Sequence, residues 1–215
     1  EAQFVCGNAN DELTKRGGAQ RAGATVVYDA QVSLAQPDFT AECLQAQSKG
    51  AQELFIIDDP NSANRISHSC SAQGFKPKYV TASLGVNSTL EGNTDLIGLT
   101  APVATFPWVA STGPAVDYMA AIHQYAPGLP NSPNTSQVWV AGLILQQVGR
   151  GLGPSPTSAD LLKGLWAIKD DTFGGASPPL TFTQGQATPS PACYFVAALN
   201  SSARWTAPQG VAPSC

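Results

Sequence analysis

The stretch VVYDAQVSLAQPDFTAECLQAQSKGAQELFIIDDPNSANRISHSCSAQGFKPKYVTAS, residues 26–83, decides the fold. Short apolar runs (Thr25 to Tyr28, Leu54 to Ile57, Tyr79 to Thr81) alternate in it with amphipathic stretches about three turns long. Phe4-Val5-Cys6 opens the same cadence upstream. Such alternation predicts parallel strands joined by crossover helices, because parallel neighbours need a connection long enough to return along the sheet. In an open parallel sheet, ligands sit at the carboxyl ends of the strands, so the loop after each strand is where a site is expected.

The intervening helices carry their own punctuation. Asp38 reads as the N-cap of a helix bearing Phe39, Cys43, Ala46 and Gly50 at helical spacing. Ala63, Ile66 and Cys70 form the buried stripe of the next, and Gly50 and Gly74 fall where a helix ends in a left-handed residue. From Leu84 the pattern changes to a Gly/Asn/Thr-rich loop, a short strand over Leu96 to Leu99, and a Pro-containing crossover from Ala101 to Trp108. Three helices follow, over about 114–126, 135–149 and from Ser158, the last opened by a capping-box pair, Thr157 and Asp160. The second is apolar nearly all round, which predicts burial on more than one side. These helices hold more apolar surface than one edge of the first lobe covers, so a further sheet is expected against them. A Gly/Pro-rich loop, FGGASPP, leads to LTFTQGQ and a final strand, ACYFVAAL.

Composition narrows the function classes. The 215 residues carry only 12% charged side chains and a net charge of −4, which argues against nucleic acid as a partner. No apolar run approaches the roughly 20 residues that span a bilayer. The chain begins at Glu1 without Met, which is compatible with a removed leader. Five cysteines in a Lys-poor, Pro-rich chain suggest export. Cys43 and Cys70 lie on consecutive helices and Cys193 and Cys215 bracket the tail, so these are the expected disulfides. Cys6 is left free or paired outside the chain; Cys6 and Cys43 also read as small buried hydrophobes. No catalytic elbow, phosphate loop, metalloprotease helix or dinucleotide fingerprint is present, so neither catalysis nor a cofactor or metal is expected. Asn87, Asn134 and Asn200 head Asn-x-Ser/Thr triplets that we read as chance.

Residues 26–77, the Pro37-Asp38-Phe39-Thr40 helix start, the helix TSQVWVAGLILQQVGRGL and the segment TSADLLKGLWAIKDDTFGGASPPLTF resemble the carboxyl-terminal lobe of type I periplasmic solute-binding proteins. The likeness is to the branched-chain amino-acid-binding branch that feeds ABC transporters, and it spans nearly the whole chain. It implies an α/β fold, a three-layer parallel sheet with helices on both faces. Residues 1–105 and 175–215 would be the second lobe, and 106–174 the helices that complete a first lobe otherwise missing here. It further implies an extracytoplasmic protein that closes two lobes on a small polar solute and delivers it to a membrane permease. The missing lobe would come from the same or a separate chain.

By position, the loop after the first strand supplies Asn8, Asn10 and Asp11, the next relevant loop Asp58 and Asp59, and the loop after the fourth strand Ser83. Carboxylates suit an ammonium group, while hydroxyls and amides orient it. Acidic Asp11 and Asp59 stand where the branched-chain binders commonly have aromatics, which argues against a leucine-like solute. The same residues also read as helix caps and turns. Trp108, beside Phe106 at the crossover, either faces the ligand or covers the hinge; Trp139 and Trp166 read as core. His68 and His123 read as structural, without an acidic partner at metal or triad spacing. Two other functions fit the fold: an extracellular ligand-sensing receptor domain, and a secreted interaction protein that has lost its cleft.

Overall fold

The computed structural model describes residues 2–188 and 192–215, with side chains of the opening helix from Gly7 onward. The chain forms two units, Glu1–Thr100 with Leu199–Arg204, and Ala101–Ala198 with Trp205–Cys215.

In the first unit, β1 (Glu53–Ile56) and β2 (Lys78–Thr81) pair in parallel, in register from Glu53 with Lys78 to Ile56 with Thr81. Val80 pairs in parallel with Thr100 on the other side. The β1–β2 crossover is helix α4 (Pro60–Ala72). Asp59 caps it, accepting from the backbone N–H of Asn61 and Ser62, and Pro60 fills the first helical position, where its missing N–H has no cost. Helix α3 (Thr40–Ser48) lies beside it. Gly50 and Gly74, at φ 74° and 72°, end the two helices as expected. Phe39, Cys43, Ala46, Cys70 and Phe75 pack into one core cluster, with Tyr28, Val32, Leu54 and Ile66 around it. The Cys43–Cys70 disulfide runs through this cluster, with Cα atoms 5.0 Å apart. The cap position of α3 belongs to Phe39; Asp38 acts one residue earlier, its carboxylate accepting from Thr40 N and Thr40 Oγ1.

Three strand expectations are corrected. Residues 4–6 lie in helix α1 (Ala2–Thr14), followed by the short α2 (Gly18–Arg21). Three apolar residues in a row are as compatible with a helix as with a strand. Residues 25–28 belong to no strand, and Val26 and Val27 are 43% and 45% exposed. Leu96 ends a 3-10 turn, Thr94–Leu96, whose cap is Asn93, and Gly98 turns the chain at φ 85°. The strand begins just after it, as β3 (Thr100–Val103).

In the second unit, the remainder of β3 neighbours β4 (Phe195–Leu199), and β4 neighbours β5 (Trp205–Thr206). β4 alternates buried and half-buried residues, as a sheet with one face on a core requires. Helices α5 (Pro114–Tyr125), α6 (Pro133–Gly149) and α7 (Ser158–Trp166) fall close to their expected places. Tyr118 fastens α5 to α6: its ring meets Phe106 and Trp139 edge-on, at 5.5 and 5.8 Å. Its hydroxyl lies 2.6 Å from Thr135 Oγ1 and 2.9 Å from Asn131 Oδ1. Gly164 lets α7 approach α6, since a Cβ there would stand 2.6 Å from Val148 Cγ1. The LTFTQGQ stretch makes a single antiparallel bridge, Asp171 with Leu180. The tail is held by Cys193–Cys215 and by paired backbone bonds between Tyr194 and Ser214. Both expected disulfides are formed; the Cys6 side chain lies outside the described residues.

Helix α6 departs from expectation. It buries Pro133, Ser136, Val140 and Val148, yet Val138 is 71% and Leu145 60% exposed, and α7 has no buried residue. Val138, Ala141, Gly142 and Leu145, spaced as one helical face, all lie exposed.

Candidate functional site

The first unit builds one rim. Because Ile56 and Thr81 are in register, the chain leaves both parallel strands at the same level, with Asp58 two residues beyond β1 and Ser83 two beyond β2. Thr81 Oγ1 donates to Ile56 O at 3.0 Å and ties the two strand ends. Ser83 opens a 3-10 turn, Ser83–Gly85, which folds back on the rim. A Cβ on Gly85 would overlap Thr81 Oγ1 and meet Asp58 O at 3.4 Å, so the glycine is required by close approach of the two loops. Asp58 and Ser83 therefore stand in loops that leave adjacent parallel strands at one level.

The two adjacent carboxylates have opposite environments. Burial pushes the Asp58 carboxyl above its usual value, helped by the neighbouring Asp59 charge and opposed by a hydrogen bond from Asp59 N. Burial also pushes Asp59 upward, but bonds from Ser62 Oγ, Asn61 N and Ser62 N, with the Arg65 charge, outweigh it and hold the group below its usual value. Asp59 is thus an ionised helix cap. Asp58 is the less committed acid, its Oδ1 accepting from Asp59 N at 2.8 Å.

Ser62 and Arg65 are positioning residues that sequence reasoning missed. Arg65 donates to Gln36 O (3.0 Å), Leu34 O (2.8 Å) and Ser62 Oγ (3.0 Å), and its guanidinium lies 5.9 Å from the Phe39 ring centre. Their spacing on α4, at the third and sixth residues of a capped helix, is the one signal that could have marked them.

The remaining candidates lie elsewhere. Asn8, Asn10 and Asp11, expected in a loop after a strand, sit on α1 because that strand is helical. Asn10 Nδ2 donates to Asp29 Oδ2 at 2.9 Å, and Asp11 pairs with Lys15 at 2.7 Å, one turn on. Among the described residues no hydrogen bond or ion pair joins them to Asp58, Asp59 or Ser83. Trp108, in the second unit, is 4% exposed and stacks edge-on with Trp205 at 6.0 Å, while Phe106 is fully buried. His68, read as lacking an acidic partner, has Asp95 Oδ2 3.7 Å from its Nδ1, a long contact at an exposed ring. Among the described residues no group of three or more acidic, His or Cys side chains is placed to hold a metal, and no helix is long and apolar enough to cross a membrane.

Parallel strands joined by a helical crossover, with helices packed beside them, define an α/β protein. The sequence profile of the periplasmic binding protein family matches residues 10–203, and the chain belongs to that family. No curated protein matches. Among solved structures, the fold is similar to the leucine-, isoleucine-, valine-, threonine- and alanine-binding protein of Brucella ovis in its closed conformation. The TM-score is 0.71 at 15% identity, covering 95% of this chain and 53% of that one. A branched-chain amino acid ABC transporter protein of Thermus thermophilus with bound valine gives 0.70 at 14%, covering 93% and 55%. A solute-binding protein of R. palustris in complex with benzoate gives 0.67 at 12%, covering 96% and 56%. The chain thus spans about half the length of these structures. The family is one of extracytoplasmic binding proteins.

Proposed function

We propose that this protein is the solute-binding component of an ABC-type uptake system, taking a small polar solute, an amino acid or related compound, by hinge closure between two lobes. The observation that carries the reading is the rim at which Asp58 and Ser83 leave adjacent parallel strands at one level. The Asp58 carboxylate would receive an ammonium group and the Ser83 hydroxyl would orient a carboxylate or amide. Asp59, Ser62 and Arg65 hold the loop that presents them. Asn8, Asn10, Asp11 and Trp108 contribute, on this reading, only if the companion lobe reaches them.

That companion lobe is the second part of the proposal. The exposed face of Val138, Ala141, Gly142 and Leu145 on α6, and the unburied α7, suit helices that complete another lobe, whose sheet would come from the same or a separate chain. Residues 106–174 would then be its helical part, with 1–105 and 175–215 the lobe that carries the rim. Closure requires that the solute bind the closed form more tightly than the open one. The loaded, closed protein would be released to a membrane permease outside the cytoplasm.

Calorimetric titration of a chain carrying both lobes with amino acids, amides and aromatic acids tests this. Saturable heat with one of them, lost in Asp58→Ala, is the expected result. Silence across the set, or unchanged heat in Asp58→Ala, overturns the assignment.

A further inference from the structure

At the opposite, amino-terminal end of β2 lies a groove of about 390 Å³ that the rim does not use. Its lining includes Lys76, Lys78, Tyr79, Ser71, Thr94 and Asp95, with Phe75, Pro77 and Ile97 as apolar wall. The volume falls within the range of small-molecule sites, roughly 300 to 1,000 Å³. Tyr79 is 3% exposed as a residue; among the described residues its hydroxyl has no hydrogen-bond partner, and the oxygen itself keeps some accessible surface. The ring is held in the core while the hydroxyl, in a residue that lines the groove, is left free to donate to a bound molecule. Burial, with the nearby Asp95 charge, pushes Tyr79 up to about 12, so the group is a protonated donor at neutral pH. Lys76 and Lys78 are exposed, and neither makes an ion pair among the described residues; Lys78 stands in register with Glu53.

We infer that this groove is a second binding site, for a small molecule with one carboxylate and an apolar body. The carboxylate takes the Tyr79 O–H and the field of the two lysines, while the body lies against Phe75, Pro77 and Ile97. Asp95, beside His68 at 3.7 Å, adds negative charge to the lining and disfavours a multiply charged anion such as phosphate. The inference goes beyond the solute rim, from which it is separated by the length of β2.

The test is amide NMR of the protein titrated with benzoate, comparing the parent with Tyr79→Phe and with the double variant Lys76→Gln, Lys78→Gln. Both leave the Tyr79 ring or the exposed surface in place, and melting curves check the fold. We expect saturable shifts at 71–79 and 94–98, with affinity about tenfold weaker in each variant, the usual effect of losing a hydrogen bond to a charged group. Absence of saturable shifts in those segments, shifts confined to 57–60 and 82–86, or equal affinity in the variants overturns the groove. Shifts in 57–60 and 82–86 report on the rim separately, so failure of one site is not mistaken for failure of the other.

Discussion

Asp58 and Asp59 are neighbours in sequence with opposite roles, and their pH dependences differ in sign. Asp59, held below its usual value by its bonds, contributes stability that is fully present above the unfolded carboxyl value and is lost as pH falls through the lower folded one. Asp58, pushed up by burial, does the reverse: its ionisation costs stability as pH rises through the raised value. Asp59→Ala should therefore cost about 1 kcal/mol at neutral pH, the usual effect of a lost cap. Asp58→Asn should raise neutral-pH stability, the gain vanishing once both states are protonated. Urea unfolding across pH 3 to 7, read by circular dichroism, checks both.

At the scale of elements, α3 is fastened to α4 by a disulfide within a shared core cluster. Removing the Cys43–Cys70 bond, with 27 residues of separation, should cost about 3.5 kcal/mol by loop-closure entropy, seen as a lower denaturation midpoint in Cys43→Ala, Cys70→Ala. Gly85→Ala should cost roughly 1–3 kcal/mol by forcing Thr81 away from Ile56 O, again read from the midpoint. These elements were the legible ones. β1, β2 and α4 announce themselves by a run of apolar residues, an Asp-Pro cap and a closing glycine, all local signals. So do α5 to α7 and both cysteine pairs. What could not be read was pairing. Residues 25–28 have strand chemistry, but a strand needs a partner, and none lies beside them among the described residues. Residues 4–6 are too few for periodicity to separate helix from strand. The strand expected over 96–99 moved to 100–103 because an Asn cap and a left-handed glycine spend those residues on turns.

At the scale of the whole molecule, α6 shows what sequence reading did catch in part. Its apolar circumference implied more cover than the chain provides, and Val138 and Leu145 are indeed exposed. The strands that carry the candidate rim, β1 and β2, were legible; Asn8, Asn10 and Asp11, expected in a loop after a strand, lie on helix α1. If the exposed face belongs to a companion lobe, Val138→Lys with Leu145→Glu should change the stability of these 215 residues by no more than about 0.5 kcal/mol, as surface changes do. In a two-lobed protein the same pair should cost several kcal/mol, as burying unpaired charge does. Thermal melting of both forms distinguishes these outcomes.

Hydrogen exchange of a two-lobed chain, with and without the solute that calorimetry selects, asks most directly whether the ends of two parallel strands hold the ligand. Slowed exchange at residues 57–60 and 82–86 on solute addition is the predicted result. Unchanged exchange there, with protection appearing only in other segments, would contradict it.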